Sequence, residues 1–334
     1  MKMKLIRPSY EIIEQGPGLQ GIYDIIERCG KVSYKSEPKG GEVAKKFVED
    51  RAKEGHGAVL EFGTVYLAFS PGDPKTTLRG DGDDATESYM ESRGENIEYF
   101  EWSKTMNFYR RNKYSKVTLG DHKWYVTTNY RVLVENNRLD DLKYLCEPTE
   151  YHEKRYAVKF ITDIGVGREF LRHRVMSMVQ ESTRYVNYNK EKFGGECTFV
   201  IPPWIPETLL AEGENITWWD GDWVNLDKNA IILADPVDHL DVNTWLNALS
   251  ACENAYQALV NGYSWKAQQA RSVLPLSTKT EFAMCGFSSD WVHFFDLRAI
   301  GTTGAPHPQA KELAEPLMNE FLERGYITKE QLNK

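Results

Sequence analysis

The chain has 334 residues, enough for one large domain or two modest ones, and its 41% apolar content is typical of a globular protein. Its formal net charge of −8 argues against a nucleic-acid-binding protein, because phosphate contacts along a duplex need a broad basic face. Residues 1–10 lack the apolar core of a secretory signal, and no apolar run is as long as a membrane span, so we expect a cytoplasmic protein without membrane contact.

The first half of the chain alternates predicted helices and strands around one polar stretch. Residues 41–54 have the 3–4 spacing of an amphipathic helix that ends at Gly55. Thr64–Phe69 is rich in β-branched and aromatic residues and is predicted to be a strand. Residues 70–94, dense in Gly, Pro, Asp and Ser, are predicted to form a loop. A helix is expected at 96–112, a strand at 123–128 and mainly helix at 129–145.

The second half favours an α+β fold. Residues 156–161 alternate as a strand does, and Asp163 can cap a short helix that runs to about residue 171. Further helices are predicted at 243–260 and 310–324. Helices interleaved with few, separated strands argue against a doubly wound sheet, and neither a GxGxxG turn nor a P-loop is present.

The five cysteines are scattered, and none forms a CxxC pair with another. We therefore expect neither a bound metal nor a disulfide framework. Buried thiols in a reducing compartment are the favoured interpretation, and no cysteine is distinguished as a nucleophile.

The densest group of chemically active side chains is the triplet Arg172-His173-Arg174, which follows the predicted helix after Asp163. Arginine forks suit phosphate and carboxylate oxygens because they can bind two oxygens at once. Ser182 and Arg184 follow ten and twelve residues after Arg172 and add a hydroxyl and a third guanidinium. Alone, such a triplet is most often a solvated basic surface.

The triplet does not stand alone, because RHR followed by seven residues and Ser resembles the signature of the flavin-dependent thymidylate synthases. The longer family pattern, RHR-x-x-S-x-N-E-x-S-x-R-Y, is also matched at Ser177, Ser182, Arg184 and Tyr185. Other segments resemble family segments in the same order, namely residues 31–34, 56–61, 270–275, 293–298 and 307–309. The resemblance covers about residues 20–69 and 156–325, and it implies a single catalytic domain over 1–334 with an insertion at 70–155.

The sequence also departs from the family pattern at particular positions. Val179 replaces the usual Asn, whereas the neighbouring Gln180 agrees with the family, which has Glu or Gln at that position. Glu169 stands where a glutamine often approaches the nucleotide. Phe287 and Ser289 occupy positions that often carry polar flavin or folate contacts.

The resemblance implies that the chain makes dTMP from dUMP. Methylene-tetrahydrofolate would donate the carbon, and FAD, reduced by NADPH, would complete the methyl group without a nucleophilic cysteine. The implied fold is α+β, with a curved antiparallel sheet flanked by helices. The implied assembly is a homotetramer with shared active sites, and the implied partners are small molecules only.

The resemblance also implies a role for individual residues. Arg298 is the expected catalytic residue, because a fixed guanidinium can stabilise negative charge on uracil. The residues expected to hold FAD are Ser33, His56, Arg172, His173, Arg174, Gln180, His293 and His307. The residues expected to bind the nucleotide are Glu169, Arg172, Gln180, Ser182, Thr183, Arg184, Arg271 and Arg298.

Two alternatives stay open at this point. The first is a related flavin-dependent pyrimidine nucleotide transferase that acts on dCMP or leaves a hydroxymethyl group, which Glu169 and the 70–155 insertion permit. The second is a catalytically silent flavin- or nucleotide-binding protein. The presence of Arg298 together with Arg271 and Arg184 argues against the second.

Overall fold

The computed structural model describes residues 2–33, 36–70, 97–182, 188, 196–205, 210–211, 216–217, 223–226, 231–232 and 240–332. These residues divide into two compact units. The first comprises Met1–Ile13, Arg28–Glu37 and Tyr156–Lys334, and the second comprises Glu14–Glu27 and Pro38–Arg155. Within 70–155, the described residues 97–155 therefore fall in the second unit together with chain on their N-terminal side. The prediction of one catalytic domain with an insertion at 70–155 stays a prediction.

The strands of the first unit form two four-stranded sheets and one two-stranded pair. They are β1 Lys2–Ile6, β2 Ser9–Ile13, β6 Arg155–Asp163, β7 Ser177–Gln180, β8 Thr198–Val200, β9 Leu210–Ala211, β10 Ile216–Thr217, β11 Trp223–Leu226, β12 Ile231–Ile232 and β13 Lys279–Phe287. The central sheet has the order β2-β6-β13-β7, in which β2 pairs antiparallel with β6 and β13 pairs antiparallel with β7. The second sheet has the order β10-β11-β1-β8, with β1 parallel to both of its neighbours. Strand β9 pairs with β12.

Helices pack on the central sheet of the first unit, and the core between helices and sheet is rich in aromatic rings. Phe160 of β6, Phe282 of β13 and the buried rings of Trp291 and Phe294 pack in one cluster, so the sheet and the following helix share one apolar layer. A second cluster gathers around Phe199 of β8. The helices of this unit are α6 Ile164–Phe170, α7 Leu240–Gln257, α8 Ala267–Ala270, α9 Ser288–Phe295, α10 Pro308–Glu323 and α11 Lys329–Leu332, with π-helical turns at Ala258–Gly262 and Asp296–Ile300 and a 3₁₀ turn at Arg271–Val273.

The second unit has its own core around an antiparallel sheet in the order β3-β5-β4. Leu67 of β3 and Val126 of β5 are fully buried and pack against Tyr109 of a neighbouring helix. Its elements are α1 Gly18–Val32, which extends into the first unit, α2 Gly41–Lys53, α3 Gly57–Leu60, β3 Thr64–Phe69, α4 Ile97–Arg111, β4 Lys116–Gly120, β5 Lys123–Asn129, α5 Tyr130–Glu135 and a 3₁₀ turn at Leu139–Tyr144.

The structure confirms an α+β fold with helices packed on antiparallel sheet. The predicted strand Thr64–Phe69 is found with those bounds, and the first predicted helix ends before Gly55, whose φ of 72° suits glycine. The mainly helical stretch 129–145 is interrupted at Asn137, which has a φ of 53° that a continuous helix does not allow. Most of the loop predicted at 70–94 lies outside the described residues.

Two expected absences concern the described residues alone. Within them, no helix combines the length and the apolarity that a membrane span requires. Across the same part of the chain, no group of three or more His, Cys, Asp or Glu side chains is placed to hold a metal ion.

Candidate active site

The Arg172-His173-Arg174 triplet forms a tight turn between α6 and β7. The carboxylate of Asp163 accepts a 2.7 Å hydrogen bond from the Val166 N–H and so caps α6, as the sequence predicts. After α6 ends, the Met176 N–H donates to the His173 carbonyl at 3.0 Å and turns the chain into β7. Consequently the triplet divides: His173 is buried, and the two arginines are exposed.

Arg298 lies in the π-helical turn Asp296–Ile300 that follows α9. Helix α9 is anchored by the buried rings of Trp291 and Phe294, and the turn closes at Gly301, whose N–H donates to the Asp296 carbonyl at 2.8 Å. Gly301 has a φ of 81°, and a Cβ there would lie 2.7 Å from the Gly304 carbonyl oxygen, so glycine is required. An irregular turn of this kind within a helical run is common at functional sites.

Three hydrogen bonds hold the Arg298 guanidinium. Its Nη1 donates to Glu169 Oε2 at 2.8 Å, and its Nη2 donates to the Glu169 carbonyl oxygen at 2.9 Å. Its Nε donates to His173 Nε2 at 3.2 Å. A guanidinium has five N–H donors, so two of them have no partner within the described part of the chain and can bind a ligand. The sequence-predicted residues Glu169, His173 and Arg298 therefore meet in one cluster, which we call the Arg298 cluster.

His173 acts in this cluster as a neutral acceptor. Burial, the Arg298 charge and His293 together lower the pKa of His173 to about 4. Because the guanidinium only donates, His173 Nε2 carries no proton and the neutral ring holds its proton on Nδ1. The ring packs edge-on against Phe294, 5.0 Å between centroids, which fixes its orientation.

A cavity of about 330 Å³ lies beside the Arg298 cluster. Glu169 and Arg168 of α6 supply charged groups to its wall, and Trp204 and Trp245 supply aromatic surface. The remaining polar wall includes His307 and Gln309 at the start of α10. Aromatic walls with a few convergent polar groups are typical of sites for small planar ligands. The two tryptophans were not predicted as site residues, because neither carries a local motif.

The nucleotide-binding segment predicted after β7 is described only in part. Gln180 is half-buried, and its Nε2 donates to Thr280 Oγ1 at 3.1 Å, which joins the end of β7 to β13. Ser182 is half-buried and follows two residues later. Thr183 and Arg184 lie outside the described residues.

The other predicted site residues differ in how close they lie to the Arg298 cluster. Arg271, at the end of α8, and His307, before α10, are exposed, and the His307 ring lies 6.1 Å from that of Trp204. His293 is exposed, with its ring 6.0 Å from that of His173. Ser33 follows α1 in the first unit, whereas His56 belongs to the second unit, where its Nδ1 lies 3.3 Å from Arg51 Nη1.

Three of the five cysteines have a raised thiol pKa. None of the five forms a disulfide, and burial raises the pKa of the Cys29, Cys146 and Cys197 thiols. The nearest cysteine to the motif in the sheet register is Cys285, which pairs with Ser177 and is buried. A raised thiol pKa leaves little thiolate at neutral pH, which is the form that attacks carbon.

The family described as thymidylate synthase complementing protein matches residues 148–324, slightly more than half of the chain. No protein of curated function matches.

Solved structures also resemble the chain, at low identity. A UMP/dUMP methylase, PolB from Streptomyces cacaoi, bound with 5-Br UMP, is 15% identical over 96% of this chain and 91% of that one, with a TM-score of 0.40. Thymidylate synthase X from Helicobacter pylori, with FAD and dUMP, is 20% identical over 54% of this chain and 74% of that one, with a TM-score of 0.34.

Proposed function

The chain belongs to the thymidylate synthase complementing protein family, and from that membership we propose that it is a flavin-dependent thymidylate synthase. It converts dUMP to dTMP with methylene-tetrahydrofolate as carbon donor, FAD as cofactor and NADPH as reductant. The observation that carries this proposal is Arg298, which three hydrogen bonds fix in place while two of its N–H groups have no partner among the described residues and can serve a substrate.

Arg298 is the catalytic residue of the proposed reaction. Carbon 5 of uracil becomes nucleophilic as negative charge builds on O4, and a guanidinium beside O4 stabilises that charge. A donor that is already oriented stabilises the transition state without reorganising during the reaction. His173 and Glu169 supply this orientation, because each accepts a hydrogen bond from Arg298.

The remaining polar residues bind the nucleotide around the base. Arg172, Arg184 and Arg271 suit the phosphate because guanidinium forks bind two oxygens at once. Neutral donors and acceptors come from the end of β7 and the segment that follows it, namely Gln180, Ser182 and Thr183.

The hydrogen-bond donors on the exposed side chains of the 172–174 triplet suit the pyrophosphate of FAD. Arg172 and Arg174 flank buried His173 and present two guanidiniums to solvent, which suits a pyrophosphate. Polar groups from Ser33, His56, His173, Gln180, His293 and His307 complete the proposed FAD set. When bound, FAD supplies the hydride that completes the methyl group. We further propose a cytoplasmic homotetramer with shared sites, as the resemblance implies.

The first expected result is that the purified protein binds FAD and is yellow. Absorbance of the supernatant after denaturation identifies the released flavin. The Arg172→Ala/Arg174→Ala variant should bind FAD more weakly, whereas Lys311→Ala, which removes a side chain of α10 that is 44% exposed, should not. A colourless protein that cannot be loaded with FAD would disprove the flavin-dependent reaction.

The second expected result concerns the base. Arg298 can only donate, so its N–H groups match O4 of uracil and oppose the amino group of cytosine. A buried donor that faces a donor costs about 1–3 kcal/mol, so dUMP should be preferred over dCMP by about tenfold or more. Competition between the two nucleotides, followed by product analysis, measures this preference.

The competition between dUMP and dCMP also tests the role of the Glu169 carboxylate. In the structure Glu169 pairs with Arg298 and also lines the cavity. If its carboxylate accepted the amino group of cytosine instead, dCMP would be used comparably, and the alternative of a dCMP- or hydroxymethyl-forming transferase would replace our proposal. The Glu169→Gln variant should keep the preference for dUMP.

Growth tests the proposed function as a whole. Expression of the chain in a thymidine-requiring bacterium should restore growth without thymidine, and Arg298→Ala should not. A folded, FAD-bound protein that restores no growth would support the alternative of a catalytically silent flavin- or nucleotide-binding protein.

A further inference from the structure

A network of four charged side chains crosses the central sheet of the first unit. Lys159 lies on β6, Lys279 and Glu281 lie on β13, and Glu181 directly follows β7. Lys159 Nζ lies 2.8 Å from Glu281 Oε2. Lys279 Nζ binds Glu281 and also lies 3.2 Å from Glu181 Oε2. The network therefore connects three neighbouring strands and ends beside the predicted nucleotide-binding segment.

Stability alone does not account for this network. The side chains of Lys279 and Glu181 are only 7% and 1% exposed. Removing two charges from water is costly, and a buried ion pair often stabilises a fold no better than apolar residues of the same volume. Although burial would raise the pKa of Glu281, Lys279 and Lys159 outweigh it and hold that pKa below its usual range. Glu281 is thus charged at neutral pH, and its contacts with the two lysines restrict the geometry of the strands that carry them.

The charged network restricts the position of the chain just before Ser182. The Glu181 N–H donates to the Glu281 carbonyl at 2.7 Å, so the backbone is also joined to β13. One residue earlier, Gln180 is paired with Phe282 in the sheet register. Lys279 adds the side-chain attachment at Glu181, so both the backbone and the side chain of the residue before Ser182 are fixed.

We propose that Lys279 is a positioning residue for the nucleotide, acting through Glu181 to place the Ser182 hydroxyl. This inference rests on the proposed function, in which Ser182 donates to dUMP. Lys279 does not touch the substrate. Its loss should therefore weaken dUMP binding more than it slows turnover of bound dUMP.

The test is the double variant Lys279→Met/Glu181→Gln, which removes one charge of each sign and nearly conserves volume. FAD binding and kcat should stay close to wild type, and KM for dUMP should rise about tenfold, as expected for a lost hydrogen bond to a charged group. The matched control is Lys311→Met/Glu315→Gln, an exposed pair 3.5 Å apart on α10, which should leave KM unchanged.

The outcomes separate this inference from the proposed function. If wild type fails to bind dUMP, measured by the change in flavin absorbance, both are overturned. If wild type binds dUMP and the folded double variant has the same KM for dUMP as wild type, only the positioning role is wrong. The positioning role is also wrong if the double variant loses kcat, FAD affinity and melting temperature together. Should the double variant not fold, Glu181→Gln alone should still raise KM for dUMP with kcat retained, and an unchanged KM would refute the role.

Discussion

Replacing Arg298 with alanine should lower dTMP formation about a hundredfold while FAD remains bound, because one preorganised donor to a developing anion contributes about 3 kcal/mol. In the structure this side chain is 17% exposed and bound at all three nitrogens, so its orientation is set before substrate arrives. NADPH oxidation should survive better than methylation. Separate assays of NADPH consumption and dTMP formation measure the two effects.

Two further variants separate a catalytic role from a structural one. Arg298→Lys keeps the positive charge but replaces the planar guanidinium with an ammonium group. Because the ammonium group cannot bind Glu169 and His173 in the same geometry, methylation should still fall strongly. Arg324→Ala removes an exposed arginine that pairs with Glu320 at 2.7 Å and should leave both activities unchanged. If Arg298→Ala lowers NADPH oxidation and methylation equally, the residue is a structural ion-pair partner instead.

The second large effect is a loss of stability in mild acid that depends on His173. Its pKa is lowered from 6.5 to about 4 in the folded protein. Above pH 6.5 neither the folded nor the unfolded chain protonates this ring, so its contribution to stability is fully present. As the pH falls from 6.5 to 4, only the unfolded chain takes up the proton, and the free energy of unfolding should fall by about 3 kcal/mol from this residue.

Urea unfolding between pH 7 and pH 4, followed by tryptophan fluorescence, measures this contribution. His173→Asn should be less stable at pH 7 but lose less stability on acidification than wild type. His122→Asn, at an exposed position in the β4–β5 turn, should keep the wild-type pH dependence. If His173→Asn follows the same pH dependence as wild type, His173 is not the buried neutral acceptor described here.

The sequence predicted those helices and strands whose own residues have a strong preference for that structure. Thr64–Phe69 has β-branched and aromatic side chains bounded by loop residues, and Asp163 has the short carboxylate that caps a helix. Strand β13 was not predicted, because it is almost wholly buried and lacks the alternation of a half-exposed strand. Helix α7 begins at Leu240, before the predicted start at residue 243.

In the candidate site too, features set by neighbouring residues could be predicted, whereas contacts between residues far apart in the sequence could not. The triplet at 172–174 was evident from spacing, and it lies within residues 148–324, over which the family matches. Its division into one buried histidine and two exposed arginines depends on a turn, which no residue type specifies alone. The bond from Arg298 to His173 joins residues 125 positions apart, and only folding reveals such a pair.

The most direct test of the account is the product formed from dUMP by the purified chain. With FAD, NADPH and methylene-tetrahydrofolate present, chromatography should detect dTMP, and omission of NADPH or of the folate should abolish it. The Arg298→Ala protein, assayed at the same concentration, should form about a hundredfold less. A folded, FAD-bound wild-type protein that forms no dTMP under these conditions would contradict the account.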